Sequence, residues 1–270
     1  MTIPQFDWRE CGGVRVLVPR FFGDLGLLGG YSTRMAASRR DLNLDLRGAA
    51  DTTSILAARR DVSAAMGVPL DSLVIAEQVH GCAVATVSET HRGRGALAAG
   101  TVIPGADALV TAAPGVALAG LSADCCIILL SDEKRRAVAA VHSGRRGAAA
   151  NVVAAAVRAL AALGVAPPAL YASIGPAICR ACYEVGDEVK REFETAFPSW
   201  PQIVTIASGR PHLDLPGVVS RQLVEAGLRA ARIFDCGLCT VCRNDSFYSY
   251  RKEGAAAGRT AGVISIAEPC

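Results

Sequence analysis

Short runs of β-branched and aliphatic residues recur along the chain, and polar or glycine-containing segments separate them. Such runs, bounded by turn-forming residues, are typical of β-strands. The pattern predicts strands over residues 14–18, 73–75, 84–87, 108–111, 117–121, 126–130, 137–142, 170–174, 203–206 and 262–266.

Longer segments with apolar residues at helical spacing lie between several of these strands, and each is followed by a glycine or a proline that ends the pattern. The predicted helices cover residues 52–66, 147–163, 186–197 and 216–226. Strands interspersed with helices predict a mixed α/β fold. No long linker divides the chain, so we expect one domain over residues 1–270.

Composition places the chain among ordinary globular proteins. Of its 270 residues, 51% are hydrophobic and 20% are charged, which excludes disordered and collagen-like classes. The net charge of +3 is too small for an extended nucleic-acid-binding surface. No uninterrupted apolar run reaches the roughly 18 residues expected of a membrane-spanning helix.

The N-terminal residues and the cysteines indicate a compartment. Asp7, Arg9 and Glu10 stand where a secretory signal needs an apolar core, so we expect a cytoplasmic protein. The ten cysteines then face reducing conditions. Such conditions favour metal ligands, nucleophiles or small buried hydrophobes over disulfides.

A predicted hairpin over residues 125–142 brings together a cysteine and a histidine. If its turn is centred between Glu133 and Lys134, Cys125 faces His142 across the strands. Directly opposed side chains share a face, with Cβ atoms about 4.5–5.5 Å apart. The pair suits two ligands of one metal, or a thiol and its base.

His80 is a third candidate, because it follows the strand over 73–75 and precedes Gly81, which permits a sharp turn. A hydrogen-bonded structural histidine is the alternative. Two histidines and one cysteine make a three-ligand set that suits Zn²⁺ with a fourth position open. His91 and His212 lie in polar or proline-flanked segments, and we assign both to local structure.

The segment after His142 predicts an anion site. Gly144, Arg145 and Arg146 lead from a strand into a helix, where free N–H groups and guanidinium groups favour a phosphate. We choose Arg146 as its ligand. The alternative is that both arginines form a solvated turn.

Cysteine pairs offer a competing metal site. Cys179 and Cys182, with Cys236 and Cys239, have the spacing of a zinc ribbon. We disfavour this interpretation because Cys242 forms an overlapping pair with Cys239, and because the intervening chain is far longer than a usual zinc-ribbon loop.

Several motifs occur in the order known from one family. They are residues 78–81 (QVHG), 105–108 (GADA), 122–125 (SADC), 141–147 (VHSGRRG), 175–178 (GPAI) with 182–185 (CYEV), and 247–251 (FYSYR), preceded by 32–34 (STR) and 42–44 (LNL). In these motifs the chain resembles the laccase-domain, or polyphenol-oxidase-like, family of purine nucleoside phosphorylases.

The resemblance implies a single α/β domain of mixed, largely antiparallel sheets packed with helices. It implies a zinc ion held by His80, Cys125 and His142. It also implies phosphorolysis of adenosine, inosine, guanosine and methylthioadenosine, together with adenosine deamination. Purine nucleosides and phosphate are then the expected partners.

The same motifs suggest residue roles. We assign Asn43, Gln78 and Arg251, with Arg146, to substrate binding. The aromatic residues of 247–251 would stack on a purine, although an ordinary strand over these residues is the alternative.

Catalysis is assigned to Cys125, His142 and Asp124. Asp124 would orient a ligand or relay a proton, and an aspartate that caps a strand end is the alternative. Ser143 and Arg145 replace the family's Ala and Trp, and Ala257 replaces a Thr, which affects the expected substrate preference more than metal binding.

Other functions fit parts of the pattern. Cys125 and His142 alone would suit an amidase acting on a cell-wall precursor, with a thiolate nucleophile and no metal. Copper-dependent phenol oxidation needs a further cluster of histidines, and the chain has only four histidines. A non-enzymatic zinc-binding protein is the third alternative.

Overall fold

A computed structural model describes residues 5–38, 41–49, 51–200 and 202–268. The strands are β1 (Phe6–Cys11), β2 (Val14–Pro19), β3 (Leu27–Ser32), β4 (Leu73–Ile75), β5 (Val84–Thr86), β6 (Ala108–Thr111), β7 (Ala117–Ser122), β8 (Cys126–Asp132), β9 (Val138–Ser143), β10 (Leu170–Ile174), β11 (Val204–Ala207), β12 (Arg210–Leu213), β13 (Ile233–Asp235) and β14 (Thr260–Ile266). The helices are α1 (Arg20–Leu25), α2 (Thr52–Ala65), α3 (Arg145–Ala149), α4 (Val152–Ala162), α5 (Asp187–Ala196), α6 (Leu215–Glu225) and α7 (Tyr250–Glu253).

Two six-stranded sheets form the centre of the molecule. Their strand orders are β1-β2-β3-β14-β7-β4 and β13-β10-β8-β9-β6-β5, and β11 and β12 form a separate hairpin. Strands β4 and β7, β5 and β6, and β10 and β13 pair in parallel, whereas the other pairs are antiparallel. The predicted mixed α/β fold with largely antiparallel sheets is confirmed.

Strand β8 shows how the layers are built. Ile127 and Leu129 belong to the core shared with the first sheet. Cys126, Ile128 and Leu130 belong to a second core that includes apolar residues of α4 and α6. Because successive side chains of a strand point to opposite faces, a strand covered on both sides is apolar throughout. The second sheet therefore lies between the first sheet and helices α4 and α6.

Tyr31 links the two sheets. Its hydroxyl, carried by β3, donates to the Ser173 carbonyl oxygen at 2.9 Å and lies 2.8 Å from the Ser173 Oγ on β10. Gly175 and Gly262 leave room for the ring, since a Cβ on either would lie within 3 Å of it. Burial raises the pKa of Tyr31 well above its ordinary value, so the hydroxyl keeps its proton.

Several predicted elements need correction. The predicted helix over 147–163 is two helices, α3 and α4, separated at Asn151, whose φ of 57° is left-handed and whose side chain caps α4. Strands β1, β3, β12 and β13 were not predicted. In β3, Gly29 and Gly30 weaken the strand pattern, yet a Cβ on Gly29 would lie 2.0 Å from the Val263 carbonyl oxygen. Close strand approach therefore requires glycine there.

Candidate active site

A cavity of about 690 Å³ opens where several strands end. Its lining comes from the segment between β3 and α2, the segment after β4, the β7–β8 turn, the end of β9, the loop after β10 and the segment before β14. The lining residues are Asp45, Arg47, Gln78, His80, Leu121, Ser122, Ala123, Asp124, Cys125, His142, Ile178, Tyr183, Tyr250, Arg251 and Arg259.

His80, Cys125 and His142 converge in this cavity. One ligand atom from each lies within 4.8 Å of the others. The Cys125 Sγ is 3.9 Å from the His80 Nε2, and the two imidazole rings meet edge to face with centroids 4.8 Å apart. The three residues predicted as one ligand set are therefore neighbours in space.

The hairpin register differs from the prediction. Strand β8 pairs with β9 so that Ile127, not Cys125, faces His142, because the turn lies one residue further along the chain. Moving the turn by one residue changes the pairing by two positions and keeps every side chain on its face. Cys125, two residues before Ile127, thus still approaches His142 diagonally.

Asp107 holds the cluster together through hydrogen bonds, and it is not among the residues predicted from the sequence. Its carboxylate accepts the His142 Nδ1–H at 2.9 Å, the His80 backbone N–H at 2.8 Å and the Gly81 backbone N–H at 2.6 Å. Burial opposes ionisation, but the hydrogen bonds from His142, Gly81 and His80 outweigh it and lower the pKa of Asp107. The only available signal was its position in the GADA motif, immediately before β6.

The donor set fits a metal ion. Asp107 occupies the His142 Nδ1 and leaves the Nε2 as the ligand atom, an arrangement common for metal-binding histidines. A Cβ on Gly144 would lie 2.7 Å from the Cys125 Sγ and 2.8 Å from the His80 ring, so glycine is required beside the cluster. Both features favour three ligands that share one ion.

Electrostatics favours a thiolate at Cys125. Burial disfavours the charge, but the nearby His142 and hydrogen bonds from His142 and His80 lower the pKa of Cys125 to about 6. Burial likewise opposes protonation of His142, whereas Cys125 and Asp107 raise the pKa of His142 to about 9. A thiolate is the form in which cysteine binds metal.

Asp124 lies in the β7–β8 turn with a left-handed φ of 91°. One carboxylate oxygen accepts the Thr240 hydroxyl at 2.6 Å, and the other accepts the Arg251 backbone N–H at 2.6 Å. Both oxygens thus hold other segments of the cavity wall. This geometry favours a structural role for Asp124 over proton transfer.

Two predicted substrate-binding residues make structural bonds. The Gln78 amide donates to the Leu121 carbonyl oxygen at 2.7 Å and accepts the Leu121 N–H at 2.8 Å, so both of its polar ends are occupied. The Asn43 Oδ1 accepts the backbone N–H groups of Asp45 and Arg259. Asn43 does not line the cavity, but it orients two residues that do.

The arginines divide into two groups. Arg251 lines the cavity, donates to the Glu184 carbonyl oxygen at 2.9 Å and lies over the Tyr183 ring. Arg146 lies outside the cavity lining, in α3, with its guanidinium 3.5 Å from the Val79 carbonyl oxygen. Arg145 forms an ion pair with Glu192.

Arg47 and Arg259 also line the cavity, and neither is among the residues predicted from the sequence. Arg47 pairs with Asp45 at 2.8 Å, and Arg259 donates to the Gly258 carbonyl oxygen at 2.9 Å. Neither residue has a distinctive spacing in the sequence. The segment 247–251 is not a strand, because Ser249 caps α7 and Tyr250 and Arg251 turn toward the cavity.

The remaining histidines lie elsewhere. His91 contacts Ser88 in a 3₁₀ turn, and His212 on β12 bonds to the Arg180 carbonyl oxygen. Across the residues that the structure describes, no helix is both long and apolar enough to cross a membrane.

Comparisons with known proteins find relatives over most of the chain. A family profile described as multi-copper polyphenol oxidoreductase laccase matches residues 27–267. The chain is 39% identical over 232 residues to purine nucleoside phosphorylase ORF3 of Streptomyces griseus. The aligned region covers 85% of this chain and 88% of that protein. It is 36% identical over 212 residues to adenosine deaminase RL5 of an unknown prokaryotic organism, covering 78% of this chain and 81% of that protein.

A third relative is similar in both sequence and structure. Purine nucleoside phosphorylase YlmD of Geobacillus stearothermophilus is 32% identical over 271 residues, covering 97% of this chain and 95% of that protein. The crystal structure of YlmD superposes with a TM-score of 0.89 and covers 98% of this chain and 99% of that chain, with 30% identity.

Proposed function

Because the chain belongs to the multi-copper polyphenol oxidoreductase laccase family, and its relatives are named for purine nucleoside chemistry, we propose that it is a zinc-dependent purine nucleoside phosphorylase that also deaminates adenosine. The relatives' names support a role in processing purine nucleosides. The expected substrates are adenosine, inosine, guanosine and methylthioadenosine, with phosphate as the second reactant.

The observation that carries the proposal is the convergence of His80, Cys125 and His142 in one cavity. Its volume of about 690 Å³ lies in the range of sites for small organic ligands. Tyr183 and Tyr250 offer aromatic surface for a purine, and three arginines of the lining offer positive charge for phosphate.

The donor set favours zinc over copper. Two histidines and one cysteine with an open position are a catalytic zinc pattern. Copper-dependent oxidation of phenols needs additional histidines nearby, whereas His91 and His212 bond elsewhere. When bound, zinc would supply Lewis-acid polarisation and a more acidic water.

The chain's own residues have separable tasks. Asp107 fixes the His142 ring and the His80 backbone, so the ligands are held before substrate arrives. Phosphorolysis brings an anion to an oxocarbenium-like sugar carbon, and Arg251 at the cavity edge provides charge for that anion. Deamination uses water in place of phosphate, so it does not need this charge.

The test is an assay of purified protein with and without phosphate, paired with elemental analysis. We expect about one zinc ion in the His80–Cys125–His142 site, ribose 1-phosphate from inosine only with phosphate, and inosine from adenosine in its absence. Cys125→Ala should reduce the zinc in this site and both rates by at least about tenfold. Cys11→Ser, which changes an exposed cysteine outside the cavity, is the matched control.

Three results would overturn the proposal. Copper in place of zinc, with oxidation of phenols, would indicate the oxidase alternative. Full activity of metal-free protein on amide substrates would indicate a Cys–His amidase. Zinc binding without turnover of any nucleoside would indicate a non-enzymatic role.

A further inference from the structure

A second group of potential ligands lies outside the cavity lining. Cys179, Cys182, Cys239 and Cys242 place their four Sγ atoms within 4.8 Å of one another. The Cys182 and Cys242 Sγ atoms are 3.5 Å apart. This cysteine cluster joins two loops that are about sixty residues apart in sequence.

Strand order explains why the two loops meet. Strands β10 and β13 are parallel neighbours, so their carboxyl ends lie side by side. Cys179 follows the end of β10, and Cys239 follows the end of β13. The long intervening chain, which argued against a zinc ribbon in the sequence, is the crossover between these two strands.

The structure also resolves the overlap of the cysteine pairs. Cys239 and Cys242 form the second pair, whereas Cys236 is buried in the core between the sheets and its N–H donates to the Ile174 carbonyl oxygen. The disfavoured cysteine site therefore has a defined set of four thiols.

The backbone holds the two loops in register without help from the thiols. The Ala177 N–H donates to the Leu238 carbonyl oxygen, and the Thr240 N–H donates to the Ala177 carbonyl oxygen, each at 3.1 Å. Ala177 and Cys239 form a parallel bridge. Each cysteine pair therefore lies next to a strand end whose position is fixed, as a rigid metal site requires.

Backbone N–H groups point at one of the sulfurs. The Cys179 N–H donates to the Cys239 Sγ at 3.4 Å, and the Cys242 N–H donates to the same sulfur at 3.5 Å. Two such donors compensate negative charge on a sulfur, which is the form that binds metal.

The separations fit a metal better than a disulfide. Four sulfurs at about 2.3 Å from a tetrahedral zinc lie roughly 3.8 Å from one another. The 3.5 Å between Cys182 and Cys242 is near this value, and it is well above the roughly 2.05 Å of a disulfide bond.

We propose that Cys179, Cys182, Cys239 and Cys242 bind a structural Zn²⁺ ion as a closed tetrathiolate site. All four positions are filled by protein, so this ion has no place for a substrate. The proposal goes beyond the proposed function and does not depend on it.

The position of this site between two loops of the cavity wall indicates a structural role. The first loop carries Ile178 and Tyr183, which line the cavity, and the second carries Thr240, which holds the Asp124 carboxylate. A zinc ion between the loops would fix one wall of the cavity. Its loss would loosen the wall without removing a catalytic ligand.

Zinc content of purified variants tests the proposal. With zinc also in the His80–Cys125–His142 site, wild-type protein prepared with a reductant should hold about two zinc ions per chain; with or without it, Cys125→Ala should hold about one. The double variant Cys182→Ser/Cys242→Ser should also hold about one, whereas the matched control Cys11→Ser should keep about two.

X-ray absorption at the zinc edge gives a second readout that does not require the double variant to fold. The zinc left in Cys125→Ala should show only sulfur ligands, at about 2.3 Å. Nitrogen ligands in that spectrum, loss of all zinc in Cys125→Ala, or unchanged zinc in a folded double variant would overturn the proposal. A failed phosphorylase assay would leave this spectrum unchanged, so the two proposals fail separately.

Discussion

At the scale of residues, Asp107 holds the candidate metal ligands in place. It does not line the cavity itself, but it bonds to the segments that carry His80 and His142. Its two carboxylate oxygens accept three hydrogen bonds from the segments that carry His80 and His142. An amide side chain has one acceptor and two donors, so it cannot replace these bonds.

We therefore expect Asp107→Asn to weaken zinc binding at the His80–Cys125–His142 site by about 10- to 100-fold. Competition with a fluorescent chelator measures the affinity. Asp71→Asn, an exposed aspartate in a 3₁₀ turn, is the control and should leave the affinity unchanged. Equal affinities for Asp107→Asn and wild type would show that the ligands hold themselves in place.

A pair of arginine variants locates the phosphate. Arg251 lines the cavity, whereas Arg146 was predicted from the sequence and lies outside the lining. A charge-assisted hydrogen bond contributes about 1.5–3 kcal/mol, so Arg251→Ala should raise the KM for phosphate roughly 10- to 100-fold and affect deamination much less. Arg146→Ala should change the KM for phosphate by less than about threefold. The opposite ranking would return the phosphate to the position predicted from the sequence.

The sequence predicts the three candidate metal ligands but not the residues that support them. Cys125 and His142 were predicted because a hairpin brings them together, and His80 because it precedes a turn at Gly81 and completes a ligand set that suits zinc. Asp107, Arg47 and Arg259 were not, because aspartate and arginine are common on surfaces and their roles depend on contacts across distant segments. Gln78 was selected for substrate, but its amide is used by the backbone of Leu121.

At the scale of elements, α2 braces the segment that leads into Asp45 of the cavity lining, together with the loop at Ala96. Arg59, buried on α2, donates to the Leu44 carbonyl oxygen at 2.6 and 2.8 Å and to the Ala96 carbonyl oxygen at 2.6 Å. Burial lowers the pKa of Arg59 to about 10, with Asp45 opposing, so the guanidinium stays charged at neutral pH. Leu44 immediately precedes Asp45 in the cavity lining.

Arg59→Ala should lower the free energy of unfolding by at least about 2 kcal/mol, because it leaves several buried carbonyl groups without a donor. Urea unfolding measures the loss. Arg60→Ala changes an exposed neighbour on the same helix and should cost less than about 0.5 kcal/mol. Similar values for the two variants would contradict the bracing role.

Elements with a regular pattern were predicted closely, and irregular ones were not. Helix α2 and strands β4, β6 and β10 lie where the apolar pattern placed them. The segment 147–163 was predicted as one helix because a polar residue such as Asn151 is common within helices. Its left-handed conformation cannot be seen in the sequence. The hairpin turn was misplaced by one residue because its polar residues fit more than one centre.

For the whole molecule, we expect contact between the two sheets to contribute to the free energy of unfolding. Tyr31→Phe removes the hydroxyl that meets Ser173 but keeps the ring between its flanking glycines. We expect a loss of about 1–2 kcal/mol in the free energy of unfolding, measured by chemical denaturation. Tyr171→Phe, which removes a more exposed hydroxyl near Glu133, is the control and should change it by less than about 0.5 kcal/mol. A loss no larger than that of the control would show that ring packing alone joins the sheets.

The position of β14 has a consequence for synthesis of the protein. This strand lies between β3 and β7 in the middle of the first sheet, and of the strands in the described residues it is the last to be made. At about 5–20 residues per second, a ribosome needs roughly 7–30 seconds after β7 to deliver β14, and during that interval the edges of β3 and β7 remain open to pairing with other chains. Nascent chains arrested before Thr260 should therefore be cut readily by protease, and resistance should appear only once the last strand has left the ribosome.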